Sequence, residues 1–282
     1  MNKPLKTEIY TSNHRLKSSF IEVYNFYIHS LLKYKKFMWA NFLKNFKASY
    51  EQSFLRFFWK LTLPLVPVGV YVILQMIGVL KGSTNMPKVL YVVIGMTFWQ
   101  LFTSSLQAVI SSPIKDSAML KKMNLPFILF YISNLGEVIF DFLIRIGLVV
   151  ILFFILGVDF NFWWLALPFM SIPFIVSALA LGIFISFFSV FFGDIKNIVD
   201  IVVRYGLFAS GVIFPLPASL SFSFYLKLNP LYIYIENLRS LVVFGSISDF
   251  GPFWIANSVV FIFCLFVLKK LYSIEARLRE YL

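Results

Sequence analysis

Six stretches of the chain approach or exceed the length of apolar sequence that crosses a hydrocarbon core, and no other feature restricts its fold as tightly. They run Phe57–Leu80, Val89–Val109, Ile128–Leu156, Trp164–Phe192, Ile198–Leu216 and Phe253–Leu268. A core about 30 Å thick takes ~20 such residues as a helix, or about ten alternating residues as a barrel strand. A run such as LVVILFFILG, from Leu148 to Gly157, has no alternation, so helices are expected. Composition agrees, because 60% of the 282 residues are hydrophobic and only 13% are charged, too little polar surface for a soluble fold. The expected fold is an all-α membrane protein with a cytoplasmic N-terminal segment over 1–56 and a six-helix transmembrane domain over 57–282.

A net charge of +12 would suit nucleic acid, but the basic residues crowd against the spans instead of forming a binding surface of their own. They are dense from Lys3 to Lys60 and again at Lys269, Lys270, Arg277 and Arg279, which places both termini in the cytoplasm. The loops after the second and fourth spans carry Lys115, Lys121, Lys122 and Lys196, while the outer loops hold only Lys81, Lys88, Lys227 and Arg239. An even number of spans fits this bias. No cleavable signal is expected, since a long basic and aromatic segment precedes the first apolar run. Cys264 lies inside the last span and is expected to pack as a small apolar group. His14 and His29 have no partners at ligand spacing, so no metal is expected.

At 100° per residue, Leu31, Met38, Trp39, Phe42 and Phe46 fall on one side of a helix and Lys33, Lys36, Lys44 and Lys47 on the other. That pattern predicts an amphipathic helix along the inner leaflet, its rings in the acyl boundary and its lysines towards lipid phosphates. Lys35 breaks the pattern and would have to snorkel. Such a helix is either an anchor alone or an anchor that also offers a docking surface.

The next residues, KASYEQSFLRFFWKLTLPL from Lys47 to Leu65, resemble the approach to span one in the ABC-2 type permeases that export polysaccharides such as O-antigen, capsule and teichoic acid. Tyr50, Ser53, Leu55, Trp59, Pro64 and Leu65 match that pattern in order and spacing, whereas Ser49 replaces a basic residue and Arg56 a glycine. AMLKKMNLPFIL and GDIKNIVDIVVRYGLFASGVIFPL continue the resemblance, so that it spans most of the chain. It implies a half-transporter in the bacterial cytoplasmic membrane that pairs with a second copy and with two ATPase subunits, for a lipid-linked glycan. The chain binds no cofactor of its own on this reading; ATP and Mg belong to the partner. It has no G-x-x-x-x-G-K-[ST] loop with which to hold a nucleotide. Drug, peptide or lipid exporters share the architecture. A polytopic glycosyl- or acyltransferase would need a catalytic carboxylate or histidine at a membrane face, and Asp194 and Asp200 are the nearby inner candidates.

Between the second and third spans, Ser111–Pro113 is expected to form a turn that opens a short helical segment ending at Pro126. The resemblance implies that Lys121, Lys122, Met123, Asn124 and Leu125 face the ATPase, and the positive-inside rule alone also accounts for the lysines. Glu137, Asp141 and Arg145 recur every four residues in the third span and so share a face. A charge near mid-bilayer costs about 2.5–3.5 kcal/mol on insertion scales, so they are expected to pair among themselves or to meet a subunit or conduit. Asp200 and Arg204 repeat the spacing and are expected to pair at the interface. The remaining spans hold too few titratable groups for a proton relay. Trp163, Trp164 and Trp254 are expected in the outer aromatic belt.

LNPLYIYIENLRSLVVFG, from Leu228 to Gly245, is oily yet short. Asn229 suits an N-cap, Pro230 the first helical position and Gly245 the C-terminal turn. About 15 residues at 1.5 Å each reach roughly 22 Å, short of the bilayer core. Glu236 and Arg239 give the helix a polar stripe opposite Leu231, Leu238 and Val242. A re-entrant outer hairpin over about 218–245 is therefore expected between spans five and six. The resemblance implies an outer gate that includes Tyr232; an amphipathic cap on the outer leaflet is the alternative.

Overall fold

The computed structural model describes residues 18–50, 87–158, 161–213, 228–247 and 250–282, with isolated positions at Arg15, Phe58, Thr62, Val66, Gly69, Ile73 and Ile77. Among these residues the structure is helical. α1 (Phe20–Lys33) and α2 (Lys35–Tyr50) form the N-terminal arm, broken at Tyr34, where the backbone leaves helical geometry. α3 (Lys88–Lys115), the short α4 (Ser117–Lys122) and α5 (Phe127–Ile155) follow. A 3-10 turn over Phe162–Ala166 leads through α6 (Leu167–Met170) into α7 (Ile172–Ser189), and α8 (Ile195–Ala209), α9 (Pro230–Phe244) and α10 (Phe250–Tyr281) complete the chain.

Four helical segments among the described residues are long and apolar enough to cross a membrane: Val89–Lys115, Phe127–Ile155, Phe162–Ser189 and Phe250–Tyr281. They meet the expected second, third, fourth and sixth spans. The expected first span, Phe57–Leu80, lies outside the described residues, and of the fifth only α8, 15 residues long, and the turn to Ile213 are described. The six-span count and the descending arm of the expected hairpin therefore do not emerge from these helices.

α3 is the central helix. It is enclosed by α5 and α7, so Leu90, Val92, Leu101 and Val109 are fully buried, and α7 in turn packs on α10. Gly182 lets α7 approach closely: a Cβ there would lie 2.8 Å from Val109 Cβ. α5 and α10 present apolar side chains outward, among them Phe154, Ile155, Ile255 and Ile262, as lipid contact requires. The turn expected at Ser111–Pro113 is absent. α3 runs through Pro113 to Lys115, and Ser111 Oγ donates to Gln107 O at 2.7 Å in the turn that the proline disturbs.

Candidate functional site

At one end of the bundle α9 packs on α10 and α3 and reaches the turn that follows α8. Its limits follow from local chemistry: Asn229 Oδ1 accepts from Leu231 N at 3.0 Å, Pro230 opens the helix, and Gly245 ends it at φ +67° with its N–H on Leu241 O at 3.0 Å. Only part of its polar stripe faces outward, Glu236 being half-exposed. Arg239 is 1% exposed, and Leu238 and Val242, expected on the opposite face, are equally buried. Two sides of the helix are thus covered, while Tyr232, Glu236 and Ser240 leave a third half-exposed.

Arg239 ties three elements together. Its guanidinium donates to Tyr91 O on α3 (3.0 Å), and beyond α8 to Gly211 O (3.1 Å) and Val212 O (2.6 Å). It also meets the half-exposed Glu236 carboxylate at 3.1 Å and lies 3.4 Å from the Tyr91 ring centroid. The space it occupies exists because residue 95 is glycine: a Cβ there would sit 2.4 Å from Arg239 Nη2 and 2.7 Å from Val212 O. Tyr91 OH donates to Gly211 O at 3.1 Å, and Asn229 Nδ2 to Ser210 Oγ at 3.2 Å, so the turn leaving α8 is held from both sides. Tyr232 is half-buried on α9. Trp164 is buried and donates to Val242 O at 3.3 Å, so it belongs to the core and not to the expected outer belt, whereas Trp163 and Trp254 are exposed.

At the other end, α4 and the residues after it form a braced projection. Lys121, Lys122, Met123 and Asn124 are exposed, whereas Leu120, Leu125 and Pro126 are buried, so Leu125 and Pro126 root the segment instead of facing outward with the others. The brace comes from the end of α10. Arg279 donates to Asn124 Oδ1 at 2.5 Å and to Leu125 O, and pairs with Glu275 at 3.3 Å. Glu275, 1% exposed, accepts from Phe127 N at 2.7 Å and meets Arg15 at 3.8 Å. A carboxylate on the first N–H of a helix complements its dipole. Tyr27 of α1 donates to Leu268 O at 3.5 Å, and burial, with Glu275 nearby, holds its phenol pKa well above the ordinary value.

A buried polar chain joins this projection to the N-terminal arm. Asn45 Nδ2 donates to Asn134 Oδ1 (2.7 Å), and Asn134 Nδ2 donates to Ser112 Oγ (2.9 Å) and to Asp116 Oδ2 (2.8 Å). Ser112 Oγ donates to the same carboxylate at 3.2 Å. α2, α5 and the α3–α4 corner are thus one hydrogen-bonded unit. Phe42 sits over Gly136, where a Cβ would lie 2.7 Å from its ring, Phe46 packs edge-on to Phe140, and the Lys44 ammonium is 3.8 Å from Met119 Sδ.

The inward face of α2 therefore includes Asn41 and Asn45, while Trp39 is exposed. The uncovered apolar stripe lies instead on α1, where Phe20, Ile21, Tyr24, Ile28 and Leu32 are exposed beside a polar edge of Glu22, Asn25, His29 and Lys33. Ser53, Trp59 and Pro64, with the side chain of Tyr50, lie outside the described residues. Glu137, Asp141 and Arg145 occupy successive turns of α5, each half-buried. Asp200 accepts from Gln107 Nε2 at 2.8 Å in place of the expected Arg204, which is exposed, as is Asp194. The Glu275 to Arg279 spacing and the buried asparagines escaped the sequence reading; a polar residue recurring in an apolar run, as Asn134 does, was the available signal.

Apolar membrane-length helices, a braced cationic projection at one end and a pinned short helix at the other define a polytopic membrane protein. Residues 36–243 match the ABC-2 type transporter family, and the chain belongs to it. An O-antigen export system permease protein RfbA of Klebsiella pneumoniae is 24% identical over 210 residues, 73% of this chain and 79% of its own. The protein of the same name from Myxococcus xanthus is 23% identical over 261 residues, 90% of this chain and 97% of its own.

Proposed function

We propose that the chain is the transmembrane subunit of an ATP-driven exporter that moves a lipid-linked polysaccharide, of the O-antigen, capsule or teichoic-acid kind, from the inner to the outer side of the bacterial cytoplasmic membrane. Membership of the ABC-2 family over 36–243 carries this reading, and the two O-antigen permease relatives narrow the substrate class. The working assembly holds two copies of this chain and two ATPase subunits, which bind ATP and Mg. Both termini are cytoplasmic, and the conduit runs between the copies, lined largely by the expected first and fifth spans.

The geometry suggests how force enters. Lys121, Lys122, Met123 and Asn124 dock on the ATPase, the lysines setting register and Met123 supplying an apolar anchor. Movement of that segment passes to α5 through Glu275 and Phe127 N–H, and to α2 through Asn134 and Asn45. At the outer end α9 is the returning arm of a re-entrant hairpin that closes the mouth, pinned through Arg239 to the turn after α8. Opening would break or carry along those bonds.

Deleting the gene tests the substrate. The expected result is lipid-linked glycan accumulating on the inner face with none delivered outside; unchanged glycan export refutes the polysaccharide reading. Gentle extraction should also co-purify an ATP-binding subunit, and its consistent absence refutes the coupling scheme.

A further inference from the structure

The face of α1 and a groove beside it form a site of a different kind. α1 is divided in three: Val23, Tyr27 and Ser30 pack inward, Glu22, Asn25, His29 and Lys33 form a polar edge, and the exposed apolar stripe lies between. That stripe flanks an apolar groove of about 180 Å³, walled by Phe20, Tyr24 and Ile28 and floored by Ile128, Ile132 and Leu268. Lys269 follows Leu268 directly, and its ammonium stands 4.2 Å from the Phe20 ring centroid, at the groove's end. Lys270 is adjacent and exposed, and among the described residues no carboxylate lines the groove. The buried Glu275 is already engaged by Arg15, Arg279 and Phe127 N–H.

The lining decides between a peptide and a lipid. The groove's walls are almost wholly apolar and a cation stands at its end, so it offers little to the backbone or polar side chains of a peptide but matches a hydrocarbon chain beneath an anionic headgroup. We propose that it binds one acyl chain of an anionic phospholipid of the inner leaflet, with the lipid phosphate on Lys269. The site uses the inner-side position of α10's end proposed above. It lies on the α1, α5 and α10 face, within one copy of the chain, and its occupant is a resident lipid that anchors α1, not the transported substrate.

Fluorescence quenching tests this in the full-length chain. An Ile21→Cys variant in a Cys264→Ser background carries a bimane label beside the groove and is reconstituted in phosphatidylcholine vesicles. A minor fraction of either phosphatidylglycerol or phosphatidylcholine has brominated acyl chains. One lysine at an anionic headgroup gives about fivefold enrichment of phosphatidylglycerol at the label. Lys269→Gln, a change at a surface position, should abolish the difference, and Ile132→Trp should reduce quenching by filling the groove. Equal quenching by the two lipids, or a preference that survives Lys269→Gln, overturns the proposal. So does displacement of the brominated lipid by an equimolar polyprenyl phosphate, which would assign the groove to the substrate's tail. Orientation is read separately: Arg277→Cys should react with an impermeant maleimide only in permeabilised cells. Reaction in intact cells refutes the topology while leaving the lipid preference to stand or fall by itself.

Discussion

Truncating Arg239 to alanine should loosen α9 from the bundle, and the bonds it makes set the size of the effect. Of the three carbonyls it serves, Tyr91 O belongs to α3 and keeps its helical N–H, and Gly211 O keeps the Tyr91 hydroxyl at 3.1 Å. Val212 O loses a 2.6 Å bond and has no other donor among the described residues. An orphaned buried acceptor costs about 1–3 kcal/mol, and a desolvated cation over a tyrosine ring contributes about 2 kcal/mol. Glu236 is half-exposed and is solvated once its partner goes, so it adds little. The sum is about 3–5 kcal/mol, the range expected when a buried charged interaction loses one side. Arg239→Lys keeps the charge but not the fork and should recover about half of it. Denaturation of purified protein in mixed micelles, followed by tryptophan emission, reads this directly, because Trp163 and Trp164 border the end of α9. An ordinary side-chain hydrogen bond in a membrane protein averages about 0.6 kcal/mol. A loss no larger than that for Arg239→Ala would refute the claim that Arg239 pins α9.

Gly95→Ala should cost about 1–3 kcal/mol in the same assay, since the new Cβ meets the backbone oxygen of Val212 as well as Arg239. Combined with Arg239→Ala it should cost less than the sum, which a double-mutant cycle measures. Lys121→Glu with Lys122→Glu should leave the chain folded, both side chains being exposed, yet abolish co-purification of the ATPase subunit at physiological salt. Asn134→Leu removes the donor of two bonds and the acceptor of a third at similar volume, at about 1–3 kcal/mol; the ratio of ATP hydrolysed to glycan exported should rise in the reconstituted complex.

What could be read from the chain, and what could not, divides by the range of the interaction. The limits of α9 were legible because an asparagine cap, a first-turn proline and a left-handed glycine are local backbone chemistry. The apolar runs were legible because the bilayer imposes one length on every span. The inward turn of Arg239 was not, since its partner Tyr91 is 148 positions away and the glycine that makes room for it looks like any other glycine in an apolar run. Periodicity was incomplete on α2 for the same reason. It sorts apolar from polar faces, but the face buried there includes Asn41 and Asn45, whose burial depends on Asn134 arriving from a helix 89 positions on. In a membrane protein the sides facing lipid and protein are both apolar, so amphipathicity identifies only the side that faces water. α1, whose polar edge is flanked by a covered apolar side and a bare one, shows the consequence: only tertiary packing reveals which apolar side is left for lipid.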